Sequence, residues 1–222
     1  MVRSRATSGC NPRGSDGAPP VPRQGPGAHP FADAPRIWHA AAPLDVDAGA
    51  VMYETDFWQL IDETREAADG DPVDHAELLV ERLARLTPDD VMDFARLFEV
   101  RFQRAYRWDL WGAAHLLLGG ASDDSFDYFR CWLIGRGREV FEGALHDPDN
   151  LAGLVPDFDE EEDGDAEELG YAADEAHERL TGMPLPDLEL PEPDEPMGRA
   201  FDFEDQAVMA QRFPRLWDRY GD

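Results

Sequence analysis

From residue 52 onward, apolar side chains recur at intervals of three and four, the spacing of one buried helical face. The segment TDFWQLIDETREAADG predicts a helix capped by Thr55, with Phe57, Trp58, Leu60, Ile61 and Thr64 turned inward. DPVDHAELLVERLARL opens with Asp71 as cap and Pro72 at the first helical position, where the missing N–H has no partner to lose. Its stripe is Ala76, Leu79, Val80, Leu83 and Leu86. TPDDVMDFARLFEVRFQRAY repeats the device with Thr87 and Pro88, and sets Asp89 and Asp90 against the positive end of the helix dipole. Val91, Phe94, Leu97, Phe98 and Phe102 form its apolar face.

DLWGAAHLLLGG follows, apolar on most faces and stopped by Gly119 and Gly120. Such a helix is expected at the centre of the core. SDDSFDYFRCWLIGRG and REVFEGALHDPDN make one long helix or two, with Gly135 and Gly137 allowing a kink. DAEELGYAADEAHERLTG carries Leu169, Ala173, Ala176 and Leu180 on one stripe and ends at Gly182. No segment alternates with a period of two over a strand's length. The expectation is an all-α fold, a compact multi-helix bundle. Residues 183–198 read as an acidic, proline-rich linker that cannot be helical. Residues 199–222 are too aromatic for a free tail and are expected to dock on the bundle through Phe213, Leu216 and Trp217.

Residues 1–51 differ in kind. They are rich in Gly, Pro, Ala and Arg, show no period, and hold no continuous apolar run of a secretory signal. They read as a disordered arm or as a translation start assigned too early, with the true start at Val51 or Met52; the second reading is preferred. The helical domain is therefore drawn over residues 52–182.

Charge narrows the function. The formal net charge is −28, and all 20 basic residues are arginine. Arginine, alanine, glycine and proline have GC-rich codons, so the missing lysine reads as the signature of a high-GC bacterial genome. Such acidity argues against nucleic acid and against an anionic membrane surface as partners. No apolar run approaches the roughly 18 residues of a membrane-spanning helix. Two cysteines, Cys10 and Cys131, suggest no disulfide framework and fit a reducing cytoplasm.

Candidate chemistry concentrates in GGASDDSFDYFRCWLIGRGR, residues 119–138. A glycine pair before a helix invites a phosphate loop, but Asp123 and Asp124 place negative charge where a phosphate would sit. The structural reading is that Ser122 or Asp123 caps the helix and the acids complement its dipole. Asp123, Asp124 and Asp127 are hard oxygen ligands within one turn, yet no second ligand cluster accompanies them, and neither metal nor cofactor is expected. Asp159, Glu161, Asp163, Gly164 and Asp165 approximate a calcium loop, but its twelfth position is Gly170 rather than a bidentate Glu. His75, His115, His146 and His177 have no zinc-protease spacing, and His115 reads as a core histidine. Cys131, beside Arg130, reads as a small buried apolar residue before it reads as a nucleophile.

Charge is also segregated along the chain. Residues 101–138 hold six arginines and four aspartates, a balance of +2, against −10 over residues 52–100 and −21 over residues 139–222. The plain reading pairs these arginines with acids of the bundle. The sharper one is a recessed anion site using Arg130, Arg136 or Arg138, flanked by Trp111 and Trp132.

The stretches DFWQLID, WDLWGAAHLLLGGASDDSFDYFRCWLIGRGREVFEGALHDPDNL and ELGYAADEAHERLTG together resemble the bacterial family of domain of unknown function 4240, over about residues 52–182. FPRLWDRYG is similar to that family's usual ending. The resemblance implies a small single-domain cytoplasmic protein and carries no catalytic residue across. Two function classes follow. The preferred one is an acidic interaction or regulatory module for a basic protein partner. The other is an enzyme or small-ligand binder, for an anion or a metal, at the Ser122–Arg138 helix, with Asp123, Asp124, Asp127, Arg130, Trp132, Arg136 and Arg138 as binding residues.

Overall fold

The computed structural model describes residues 52–159, 163–191 and 193–221. Both readings of residues 1–51 therefore lie outside the described residues. Among those described there are ten α-helices and no strand: α1 (Glu54–Ala67), α2 (Pro72–Leu83), α3 (Pro88–Arg104), α4 (Trp108–Leu117), α5 (Asp123–Gly135), α6 (Arg138–His146), α7 (Leu151–Leu154), α8 (Glu167–Thr181), α9 (Gln206–Arg212) and α10 (Pro214–Tyr220). A single 3₁₀ turn, Pro148–Asn150, joins α6 to α7. The fold is all-α, and no helix among the described residues is long and apolar enough to cross a membrane.

The caps explain most boundaries. Asp71 accepts the backbone N–H groups of Val73 and Asp74, and Thr87 shares a reciprocal box with Asp90. The start of α1 differs from expectation. Thr55 is not its cap; the helix begins at Glu54, where the Asp56 carboxylate reaches back 3.1 Å to the Tyr53 N–H. The α5–α6 segment is two helices, broken at Gly137, whose φ of +89° lies in the left-handed region that only glycine adopts freely. Gly182 ends α8 in the same way, with φ +72°.

The central helix is α5, not α4. α5 packs against α1, α2, α3, α4, α6 and α8, and from Phe126 to Gly135 only Tyr128 escapes burial. α4 is apolar all round for another reason: α5 covers one side, and the C-terminal segment covers the other through α10. α8 returns from far along the chain to lie on α2, α3 and α5. Its stripe is buried at Leu169, Ala173 and Ala176, while Leu180, read as part of it, is exposed.

Beyond α8 the chain is extended but not free. Leu185, Leu188 and Leu190 are buried, and the Leu185 N–H donates 2.8 Å to Asp174. Met197 exchanges backbone bonds with Tyr106 and Trp108 in one parallel bridge. Met209, Phe213 and Leu216 are then buried against the bundle, with Trp217 partly so.

Candidate functional site

The N-terminus of α5 is capped by Ser122, whose hydroxyl accepts the Ser125 N–H at 3.2 Å. Asp123 and Asp124 are exposed in the first turn, facing the positive end of the dipole. Asp127, three residues beyond Asp124, lies on the packed side of the helix. It is 1 % exposed and makes a close ion pair with Arg130, itself 3 % exposed. Arg130 also donates 3.1 Å to the Phe102 carbonyl and lies over the Phe102 ring, 3.7 Å from its centroid, with Tyr106 behind it at 4.7 Å. A charge taken out of water persists only when paired, and here one carboxylate, one carbonyl and three rings, the third that of Phe126, surround the guanidinium.

The other arginines of residues 101–138 are engaged as well. Arg101, buried over Phe57 and Trp58, meets Glu54 at 3.1 Å. Arg104 grips Glu142 through two bonds of 2.9 Å, and Arg107 grips Asp109 through bonds of 3.0 and 2.8 Å. Arg136 lies 5.5 Å from the centroid of Trp132 and 3.9 Å from Asp163, which also accepts the Trp132 indole N–H at 3.2 Å. Arg138 reaches Glu54 at 3.8 Å. Burial works to raise the Glu54 pKa, but the Trp58 indole N–H and the charges of Arg101 and Arg138 hold it below its ordinary value.

The seven residues read from the sequence thus fall into four places: exposed Asp123 and Asp124, the buried pair Asp127–Arg130, Trp132 with Arg136 around Asp163, and Arg138 on Glu54. Arg130, Arg136 and Arg138 each face a different carboxylate. Trp111 packs on Phe126 and donates its indole N–H to the Ala121 carbonyl.

The remaining candidates settle into structural roles. Asp163 turns back to accept the Asp159 N–H at 3.1 Å, while Glu161 of the calcium-like run lies outside the described residues. Among the described residues, no three His, Cys, Asp or Glu side chains group as a metal ion requires. Cys131 is fully buried, and burial pushes its thiol pKa up, away from the thiolate a nucleophile needs. His115 is not a core histidine: half-buried at the end of α4, it accepts the Ala121 N–H at its Nδ1. His75 and His177 are the buried ones; the Nε2 of His75 lies 3.0 Å from the Thr64 hydroxyl, and burial, then the Arg65 charge, lowers its pKa to about 4.

Along the α5–α8 junction, Tyr128 has its pKa raised by burial and then by the charges of Glu167, Asp124 and Asp165. Tyr171, one turn beyond Glu167, donates its hydroxyl to that carboxylate at 3.2 Å, and its pKa is pushed up to about 12 by burial and Glu167. Asp124, Asp165 and Glu167 have no arginine partner among the described residues. The sequence held a signal for this face that periodicity alone did not expose: an acid followed by tyrosine at the i+4 spacing, once on α5 (Asp124, Tyr128) and once on α8 (Glu167, Tyr171).

Fold and surface together define a class: an all-α acidic domain with a cluster of carboxylates at the α5–α8 junction that no arginine meets among the described residues. The chain belongs to the DUF4240 family, described as a protein of unknown function, whose model matches residues 52–179. No curated protein and no solved structure matches the chain.

Proposed function

We propose that this protein is an acidic protein-interaction module of the bacterial cytoplasm, and that it binds a basic protein partner through the face built from Asp124, Tyr128, Asp165, Glu167 and Tyr171. The observation that carries this reading is the asymmetry of pairing. All six arginines of residues 101–138 have carboxylate partners, whereas these acids have no arginine among the described residues. Grouped carboxylates steer a cationic partner during encounter. The tyrosine rings add flat surfaces on which a guanidinium stacks while a neighbouring carboxylate takes its N–H groups.

The enzyme or small-ligand reading is not carried forward. It rests on Asp124 and Arg130 meeting at one point, and Asp124 is exposed while Arg130 is buried against Asp127.

Affinity capture with the full chain at low and high salt tests the proposal. A face variant, Asp124→Asn with Asp165→Asn and Glu167→Gln, is run beside a control that removes equal charge from exposed sites elsewhere, Glu77→Gln with Glu139→Gln and Glu178→Gln. A stoichiometric basic partner should be held by wild type and control, released at high salt, and lost by the face variant. Equal retention by both variants would move the interface elsewhere, and no partner at either salt would remove the reading.

A further inference from the structure

Two buried carboxylates hold the chain near the two ends of the described residues. Asp149, 3 % exposed, accepts the backbone N–H groups of Arg215 and Leu216 at 3.0 and 2.9 Å. The docked segment also brings a cation to it, the Arg215 Nε at 2.9 Å. Asp93, on α3 and 5 % exposed, holds the other end, its Oδ2 accepting from the Met52 nitrogen at 3.3 Å. Its Oδ1 meets Arg96 at 3.0 Å, a residue of the same helix whose side chain is 41 % exposed. A cation partly in water does less than a buried one to offset the desolvation of a buried carboxylate. The docked segment here, Met52 and Tyr53, has no basic side chain. The charge it can bring is that of the Met52 nitrogen, if that nitrogen is an α-ammonium and not a peptide N–H.

Independent features point to a chain start at this position. The Met52 side chain is 7 % exposed and belongs to the core. The helix cap follows at once, with the Tyr53 N–H donating to Asp56 at 3.1 Å. The family model begins its match at residue 52. The three-and-four apolar spacing also runs from residue 52 onward and is missing from residues 1–51. Tyr53 is the next residue, and initiator methionines are trimmed only ahead of small side chains. A chain begun here therefore keeps the buried Met52.

We infer that Asp93 is the binding site of a free α-ammonium at Met52, and that the native chain starts there, with residues 1–51 upstream of its start. Hydrolysis of the initiator's formyl amide releases formate, and the amine so exposed takes up a proton and meets Asp93 as an ion pair. The site lies on α3 and shares no residue with the acidic face of α5 and α8, so either assignment can fail alone.

The absence of lysine makes the test clean, because the α-amino group is the one primary amine of the chain. The gene is expressed in its own host from its own upstream region, with a C-terminal hexahistidine tag that adds no amine. Intact mass should give a chain that starts at Met52. Reductive methylation with isotope-labelled formaldehyde then marks the α-amine alone, as a dimethylammonium that keeps its charge. Its NMR signal should titrate with a midpoint of about 9 or higher, above the roughly 7.7–8.0 ordinary for an α-amino group. Asp93→Asn should bring the midpoint back to that ordinary range. A chain that starts at any other residue, or a Met52 that stays formylated, would overturn the inference. So would an ordinary midpoint in the wild-type protein, a reading that needs no variant to fold.

Discussion

Asp124 and Asp127 lie three residues apart on one helix and meet opposite fates. Asp127 is folded into the core against Arg130; Asp124 stays in water beside Asp165 and Glu167. The difference comes from helix geometry. A step of three residues carries a side chain about 300° round the axis, enough to move it from the solvent edge of α5 to its packed side. Inside, a carboxylate is tolerated only with a cation, and Arg130 supplies it to Asp127. Outside, no such requirement acts, and the acids remain available. Within α5, then, the two aspartates are separated by depth: Asp127 is paired inside and Asp124 is left in water.

The largest expected effect breaks the inner half of that comparison. Arg130→Ala removes the cation paired with buried Asp127 and should cost about 3–5 kcal/mol in unfolding free energy, read by urea denaturation. Replacing both, Asp127→Leu with Arg130→Met, should recover most of that loss, because apolar residues of similar volume fill a buried ion-pair site without its desolvation cost. An Arg130→Ala chain as stable as wild type would mean that Asp127 regains water on its own, and that the inside does not demand pairing.

His75 gives the next effect in size and shows the same rule for a group with no counter-charge. The Thr64 hydroxyl donates to the Leu60 carbonyl at 2.7 Å, so its contact with His75 has the Nε2–H of the neutral ring as donor. Folding lowers the pKa from 6.5 to about 4, so between those values the unfolded chain holds the extra proton. Stability is whole above about pH 6.5 and falls as the pH drops toward 4, by up to about 3 kcal/mol. His75→Gln should flatten that slope in a pH series of thermal melts. An unchanged slope would assign the acid sensitivity to other groups.

Much of the fold was legible because its signals are local. Asp71–Pro72 and Thr87–Pro88 announce α2 and α3, and the three-and-four spacing of Val91, Phe94, Leu97 and Phe98 marks a buried face without reference to any partner. The central helix was misjudged because apolar composition reports burial but not by what. α4 is covered by an arm about 100 residues later in sequence, whereas α5 is central despite Asp127 and Arg130. Those two look like surface residues until the side of the helix facing Phe102 and Tyr106 is known. Asp149 was invisible for the same reason: its partners, Arg215 and Leu216, lie 66 and 67 residues away. The acidic face joins α5 to α8, a pairing that no local pattern specifies.

The smallest effect on stability is expected on the outer side, and it makes the comparison sharpest because the chemical change is the same at both positions. Asp127→Asn should destabilise strongly, since an amide returns only part of what a carboxylate gives Arg130. Asp124→Asn should leave the melting temperature near that of wild type. The substitution gives up a favourable charge at the start of α5, yet it also relieves repulsion within a group that already holds Asp123, Asp165 and Glu167, and these two effects oppose. What Asp124→Asn should change is association: slower capture of the basic partner at low salt, with the difference from wild type vanishing as salt screens the face. A marked loss of stability from Asp124→Asn would place that carboxylate among the structural acids with Asp127, and the division of this chain into inner pairs and an outer face would no longer hold at α5.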